Sequence, residues 1–560
     1  MIQSDVRNPQ RSSRVHLLRF GALLLEQTLV APLILSAVAL CLTLPFAARG
    51  YYGDDARFHI SSWIGMRQAW ITGSFAPGWD SLANFRLGDP RFCFYPPLSL
   101  WMGALLCFLV PFKLAPAAFV WLALLTAGLS MYVAARSLLG ARFSMAAAVL
   151  YMMSPYLIVT AITRFAVAEL LVLAWLPLII LHFVRAIGDL DRSSMFWLAL
   201  LLALSWLTDI PASIALGYTL ALTSCLEAIR RRSARALLTF TIAESIAILC
   251  AAFRLAPAYF EKSWITTSAL LRWDFRNYFM FHTLSDTSRL KFTIGMSVIA
   301  IVYAALMVIA FWVLRCRPEL SQSLVLYEMA AASLLFQLPF SAVLWTHLPE
   351  LRYVQFPFRF LSVIGGVLPF ILFGKGVNRA LTWSACGVLI VLTLMPIASY
   401  LRVPQDTPSR LPSVERATNA GYPGTDEYTP FGAATLSAPL LTWSPTVVDG
   451  NCTVSLLPVS TSQKQVEVDA QKPCTIRLGS YYYPFWKVTD ESGKYVATAS
   501  DGAGILTARV TEGRHTINVN FRMNSTARNI SELCSAAGLL VLIGGFWRGA
   551  SNPAFETVAS

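Results

Sequence analysis

The chain is short of charge. Asp, Glu, Lys and Arg make up 13% of its 560 residues, about half the share in an ordinary soluble domain. That shortage excludes a multidomain soluble enzyme. Familiar catalytic signatures are missing too. No Walker A loop, GxGxxG turn, GxSxG elbow or HExxH helix occurs. This weighs against ATP-driven transport by this chain alone, hydride transfer, α/β-hydrolase chemistry and zincin proteolysis. The ten cysteines form no CxxC pair and no Cys/His cluster, which disfavours a structural zinc site. Residues 1–23 carry basic residues but no small-residue cleavage site. They are expected to form a cytoplasmic lead into a retained span, not a cleaved signal.

What the chain has is hydrophobicity. Apolar residues make up 56% and the mean hydropathy is +0.57. Stretches of about 20 apolar residues recur, the length of a bilayer-crossing helix. A net charge of +13 invites a nucleic-acid reading. The basic residues fall instead in short segments between apolar spans, the pattern that orients a membrane protein, so no nucleic-acid partner is expected. The RRRSAR run at 230–235 is the strongest such signal.

The expected fold class is mainly α: a polytopic transmembrane bundle of about twelve spans plus a half-helix, with an exported C-terminal β-sandwich-like domain. The first span, about 24–48, follows Arg11, Arg14 and Arg19, so the loop 49–95 is expected outside. The proline-bounded stretch 96–112 is short. A full crossing there would place Arg136 and Arg142 outside, so it reads as a re-entrant or interfacial helix. The transmembrane core then runs over 24–400. Residues 401–530 turn to Pro, Gly, Ser and Thr with alternating runs such as QVEVDA and HTINVNF, the pattern of sandwich strands. Cys452 and Cys474 are the only cysteines there, and a disulfide between them fits an oxidising compartment. Residues 531–560 are expected to be a last span and a cytoplasmic tail.

The polar, aromatic loop Tyr51–Pro97 is where chemistry is expected. Asp54 suits the N-cap of a helix over 55–72, and the i, i+4 spacing puts Asp55 and His59 on one face. Trp63, Ile64, Trp70 and Ile71 give that helix an apolar side suited to lying in the membrane interface. A carboxylate beside an imidazole can take a proton from an acceptor hydroxyl or hold a divalent cation. The same residues serve equally as a cap, a dipole partner and a solvated imidazole. Arg164 and Glu169 flank the next external turn, as either a salt bridge or part of a site. Asp209 shares that ambiguity, and mid-span Glu244 reads as structural. Arg254, Lys262, Arg272, Arg276, Arg352 and Arg359 fall near the same face. Guanidinium forks suit phosphate oxygens, and snorkelling to headgroups is the alternative.

Several segments together resemble a bacterial membrane family of the GT-C type, the "6-pyruvoyl-tetrahydropterin synthase-related" membrane proteins. They are GDDARFH at 53–59, FYPPL at 94–98, SPY followed by RFAVAE, LAPAYFE at 255–261 and LRYVQFPFRF at 351–360. EYTP at 427–430 and YYYPFWKV look like the family's exported C-terminal portion. The family name implies no pterin chemistry. GT-C enzymes are integral-membrane glycosyltransferases that use polyprenyl-phosphate-linked sugars on the exported face, with an essential acidic residue in the first external loop.

The resemblance makes Asp55 that acidic residue, His59 the histidine after it, and Glu169 the second acidic position, all three catalytic. It sets Arg164 before Glu169 and matches Arg352, Gln355 and Arg359 to the late external motif. With the arginine cluster, substrate contacts are expected from Asp54, Arg164, Arg254, Arg352, Gln355 and Arg359, and a cation (Mg or Mn) shared by Asp55 and Glu169 is the expected cofactor. The implied partners are a polyprenyl-phosphate sugar donor, a glycan or lipid acceptor and membrane lipids, at the cell (inner or plasma) membrane. The chain departs from the family at three places: Asp54-Asp55 for His-Asp, Arg164-Phe165 for Arg-Gly, and Asp209 for a histidine. Two other functions stay open: a transporter or scramblase of lipid-linked sugars relying on Glu244, and a non-catalytic assembly protein that uses the sandwich to hold a partner.

Overall fold

Among the described residues of the computed structural model, seven helices are long and apolar enough to cross a bilayer, or up to nine if each of two bent pairs is one span. The structure describes residues 30–45, 47, 53–188, 191–280, 287–315, 317, 319–402, 414–439, 443–460 and 463–550. The expected N-terminal lead and the C-terminal end of the tail lie outside these. Together with three shorter apolar helices, the long ones stand where about twelve spans were expected. The three are Val30–Pro45, as far as the described residues reach, Arg192–Trp206 and Pro357–Leu372. The fourth short apolar helix, Pro97–Leu109, is the expected half-helix. Proline at its first position fits its fixed φ and missing N–H.

Position in the bundle follows from how apolar each helix is around its circumference. Val167–Gly188 is 78% buried and central, whereas Thr526–Trp547 is 22% buried and peripheral. The peripheral helix docks through small residues: Gly538 rests on Leu249 and Cys250, and Ser535 Oγ donates to the Leu249 carbonyl at 3.0 Å.

The span expected at 143–160 is bent by 41° between Ala141–Met152 and Pro155–Arg164. Ser154 takes an extended conformation, as a residue before proline prefers. The second half closes in a π-helical turn, Val159–Arg164, and Phe165 follows in the left-handed region at φ 52°. This irregular turn sets where Arg164 points.

The loop helix Ala56–Ile71, expected in the membrane interface, is mostly buried within the protein. It is wedged between two layers. Trp63 is fully buried, stacked on Phe119 at 5.1 Å. On its other side Ile64 packs with Leu82, Ala83, Ala417 and Tyr422. Truncating Trp63 to alanine would cost about 3–5 kcal/mol.

A closed ionic knot ties down the rest of the loop. Asp80 and Asp89 form a short antiparallel bridge. Arg91 donates from Nε and Nη2 to Asp89 at 2.8 and 2.7 Å, and from Nη1 to Ser62 at 3.1 Å. Tyr422 donates its hydroxyl proton to Asp80 at 2.5 Å, so the knot reaches the segment that precedes the sandwich.

Among the described residues the sandwich has eight strands: β1 (Thr446–Asp449), β2 (Cys452–Ser460), β3 (Gln463–Ala470), β4 (Cys474–Tyr481), β5 (Trp486–Thr489), β6 (Thr498–Ser500), β7 (Ile505–Val510) and β8 (Gly513–Phe521). They form two four-stranded sheets, β1-β4-β7-β6 and β2-β3-β8-β5, and every strand pair within them is antiparallel. Alternation along β3 turns Val466, Val468 and Ala470 inward, against Ile476 and Leu478 of the opposite sheet. Cys452 and Cys474 are bonded, which joins the two sheets. Trp79 of the loop plugs the base of the sandwich beside Trp486 and Phe521, each at 5.2 Å.

Candidate active site

A cavity of about 840 Å³ lies where the loop helix, the bundle and the 423–428 segment meet. It occupies the end of the bundle that carries the loops around 53–59, 164–169, 209–214, 255–273 and 350–359. These are the loops that the charge pattern assigns to one side.

Asp55 reaches the cavity because of Gly53. That residue has φ +139°, and a Cβ there would sit 2.7 Å from the Arg164 carbonyl. The close approach lets the Asp55 N–H donate to that carbonyl at 3.1 Å. The cap expectation shifts by one residue: Asp55, not Asp54, holds the N-cap position of Ala56–Ile71. Its backbone is already helical and its carboxylate makes no capping bond. The side chain is therefore left for the cavity. Burial raises the Asp55 carboxyl above its ordinary pKa. Arg164 and Arg359 pull it back down, and Glu169 pushes it up. Asp54 is exposed at the cavity rim.

His59 lies one turn on and is buried, not solvated. Burial pushes its imidazole down to about 3, so it is neutral at pH 7. It packs edge-to-face on Tyr95 at 5.9 Å. Its Nδ1 has no hydrogen-bond partner among the described residues.

Glu169 sits in the first turn of the central helix. Its Oε2 accepts from Arg164 Nη1 at 2.8 Å and lies 3.3 Å from Arg359 Nε. Its Oε1 accepts from the Tyr156 hydroxyl. One carboxylate thus holds two guanidiniums. Asp209 completes the group. It caps Ile210–Arg230 by accepting the Ala212 N–H at 2.8 Å, and burial raises its carboxyl to about 6 against the pull of Arg359. Where the family pattern has histidine, this chain therefore brings a third carboxylate.

Gln355 also lines the cavity and donates to the Leu270 carbonyl at 3.0 Å. Two expected residues do not line it. Arg254 turns to the loop and donates to the Phe92 carbonyl, and Arg352 is exposed elsewhere. Arg352 and Arg359 part company because 351–360 is two short 3₁₀ turns, broken at Gln355 with φ 64°. Glu244 stands behind the wall, accepting the Trp206 indole N–H at 2.9 Å. It has the structural partner expected of it.

Tyr156 and most of the segment Pro423–Tyr428 went unassigned from sequence, and Lys262 was one of six basic residues read as phosphate or headgroup contacts. Lys262 and that segment line the cavity. The 423–428 segment is fastened over it by Arg272 to Asp426 at 2.7 Å. Ile265 and Pro430 pair beside it as an antiparallel bridge. The EYTP resemblance was the one signal for this cover.

The residues do not fit the expected divalent cation. Glu169 has both oxygens committed to Arg164, Arg359 and Tyr156. Among the described residues no group of three or more His, Cys, Asp or Glu is placed to hold a metal ion.

Long apolar helices, a buried polar cavity at one end of them and a β-sandwich beside it define a multi-pass membrane protein. Two solved structures are similar to parts of it. One is the cryo-EM structure of arabinofuranosyltransferase AftD from Mycobacteria, with a TM-score of 0.40 and 15% identity over 68% of this chain. The other is the crystal structure of ArnT from Cupriavidus metallidurans bound to undecaprenyl phosphate, with a TM-score of 0.38 and 16% identity over 64% of this chain. The matched part spans 27% of the first protein and 63% of the second. No protein-family model matches the chain, and no curated protein sequence does.

Proposed function

We propose that this protein is a membrane glycosyltransferase of the GT-C type. It moves a sugar from a polyprenyl-phosphate donor to an envelope glycan or lipid acceptor on the exported face of the cell membrane. The acceptor hydroxyl oxygen attacks the anomeric carbon. The bond from that carbon to the phosphate oxygen breaks, and polyprenyl phosphate leaves with the electron pair. Asp55 takes the hydroxyl proton. Arg164 and Arg359, held by Glu169, offset part of the burial that raises the Asp55 carboxyl. His59 lines the acceptor side as a neutral hydrogen-bonding group. Core, cover and sandwich divide as 24–400 and 401–530, with the basic loops at the other end of the bundle facing the cytoplasm.

Asp55 supports this reading most directly: it occupies a cap position, spends no bond on capping and faces a large cavity. Full-length protein in nanodiscs, given polyprenyl-phosphate sugars and envelope acceptors, tests it. Asp55→Asn should lower transfer by about 10²-fold or more with thermal unfolding unchanged. Wild-type transfer in that variant overturns the assignment.

A further inference from the structure

We infer that Lys262, at the head of an apolar stripe on the helix Arg235–Phe260, seats the phosphate of an isoprenoid phosphate whose tail runs down that stripe. This rests on the glycosyltransferase reading and names the seat of its donor, which the deep arginines cannot provide.

The cavity's cations differ in what already neutralises them. Arg164 and Arg359 share Glu169, with Asp55 and Asp209 close enough to feel them. Two guanidiniums facing three carboxylates make a poor seat for a phosphate dianion. Arg91 is held by Asp89 and Asp80, and Arg272 by Asp426. Arg57, on the loop helix, and Lys262 both line the cavity with no ion pair among the described residues, and of the two only Lys262 adjoins a helix of membrane-crossing length; Lys262 is therefore the candidate. Its ammonium lies over ring faces instead, 4.1 Å from the centre of Tyr259 and 6.0 Å from that of Tyr353. Ring faces steady the cation without a formal charge to compete with an anion, and the ammonium keeps donors to give.

The wall below Lys262 is apolar and periodic. Tyr259, Leu255 and Ile248 line the same cavity. Their spacings of four and seven residues hold them to one face of the helix, and Lys262 follows in the 3₁₀ turn just past its end. Ile210 and Ile214 of the helix Ile210–Arg230 also line it. The stripe from Ile248 to Tyr259 covers roughly 17 Å of helix axis. Its edge is open: Ile248 is 42% exposed, Tyr259 51% and Phe260 68%, on a helix long and apolar enough to span a bilayer. A cation above a lipid-facing apolar gutter fits an amphiphile with a phosphate head. It rejects a soluble nucleotide sugar, whose polar base would be buried without partners.

Binding of decaprenyl phosphate, decaprenol and inorganic phosphate to the full-length protein in nanodiscs tests this by native mass spectrometry. Lys262→Gln should weaken decaprenyl phosphate about tenfold or more and leave decaprenol unchanged. Lys262→Arg should recover most of the loss. Leu255→Trp should weaken both lipids. Inorganic phosphate should not displace decaprenyl phosphate, and its ready displacement overturns the tail assignment. Wild-type binding in Lys262→Gln, or a loss in Arg57→Gln instead, overturns the seat while the sugar-transfer reading stands. If wild-type protein fails to bind decaprenyl phosphate, both fall.

Discussion

Two clusters of buried charge grow from the same loop, and they are built differently. The knot of Asp80, Asp89, Arg91 and Tyr422 is closed. All three Arg91 nitrogens donate, and Asp80 accepts from Tyr422 and from the Leu82 N–H. The cluster of Asp55, His59, Glu169, Asp209, Arg164 and Arg359 uses the same residue types and is left incomplete. His59 Nδ1 and Arg359 Nε have no hydrogen-bond partner among the described residues, and the group borders about 840 Å³ of space. A buried ion pair is therefore a poor mark of a site. Unspent hydrogen-bonding capacity facing a cavity is a better one, because burial makes such capacity costly unless something binds there.

The contrast breaks most visibly at Arg91. Arg91→Met strands two buried carboxylates and should cost about 3–5 kcal/mol, seen as loss of monodisperse protein on size exclusion. Normal yield and melting temperature would erase the distinction between the clusters. Asp55→Asn is the mirror experiment: transfer collapses while the melting temperature holds or rises, since a desolvated carboxylate has been removed.

Arg359→Gln sharpens the comparison through pH. Removing that cation raises the carboxyls it holds down, Asp55 and Asp209. The ionised base then forms only at higher pH, so the acid limb of the rate profile should move upward; an unmoved limb would uncouple Arg359 from the base. Stability runs the other way in wild type. Asp209 is raised from 3.8 to about 6, so its contribution is full below 3.8 and is lost as pH climbs through about 6. The smallest effect belongs to His59→Phe. It removes a buried orphaned nitrogen and should raise stability by about 1 kcal/mol, while transfer falls less than in Asp55→Asn.

Much of this architecture was legible in the chain. Apolar runs located the helices, and period-two alternation with Gly breaks located the sandwich. Of the nine residues expected at the site, Asp54, Asp55, His59, Arg164, Glu169, Gln355 and Arg359 line one cavity, and Arg254 and Arg352 do not. The knot was not legible. Asp80 and Asp89 are joined by a backbone bridge across a loop with no period, and their partner Tyr422 is more than 300 residues away. Arg254 misled because a membrane-end arginine advertises its charge but not its direction. On its helix it points at the Phe92 carbonyl.

Composition and period alone determined that the chain crosses a membrane, roughly where each crossing falls, and that a β-rich domain follows, because these depend on average transfer free energies and local backbone geometry. Only the tertiary structure decided which charges are spent and which are left over. That depends on irregular backbone: a glycine pressed on a carbonyl at Gly53, a π turn before Phe165, a left-handed break at Gln355. Side-chain direction at such points is set by what packs around them, and no repeating pattern in the sequence encodes it.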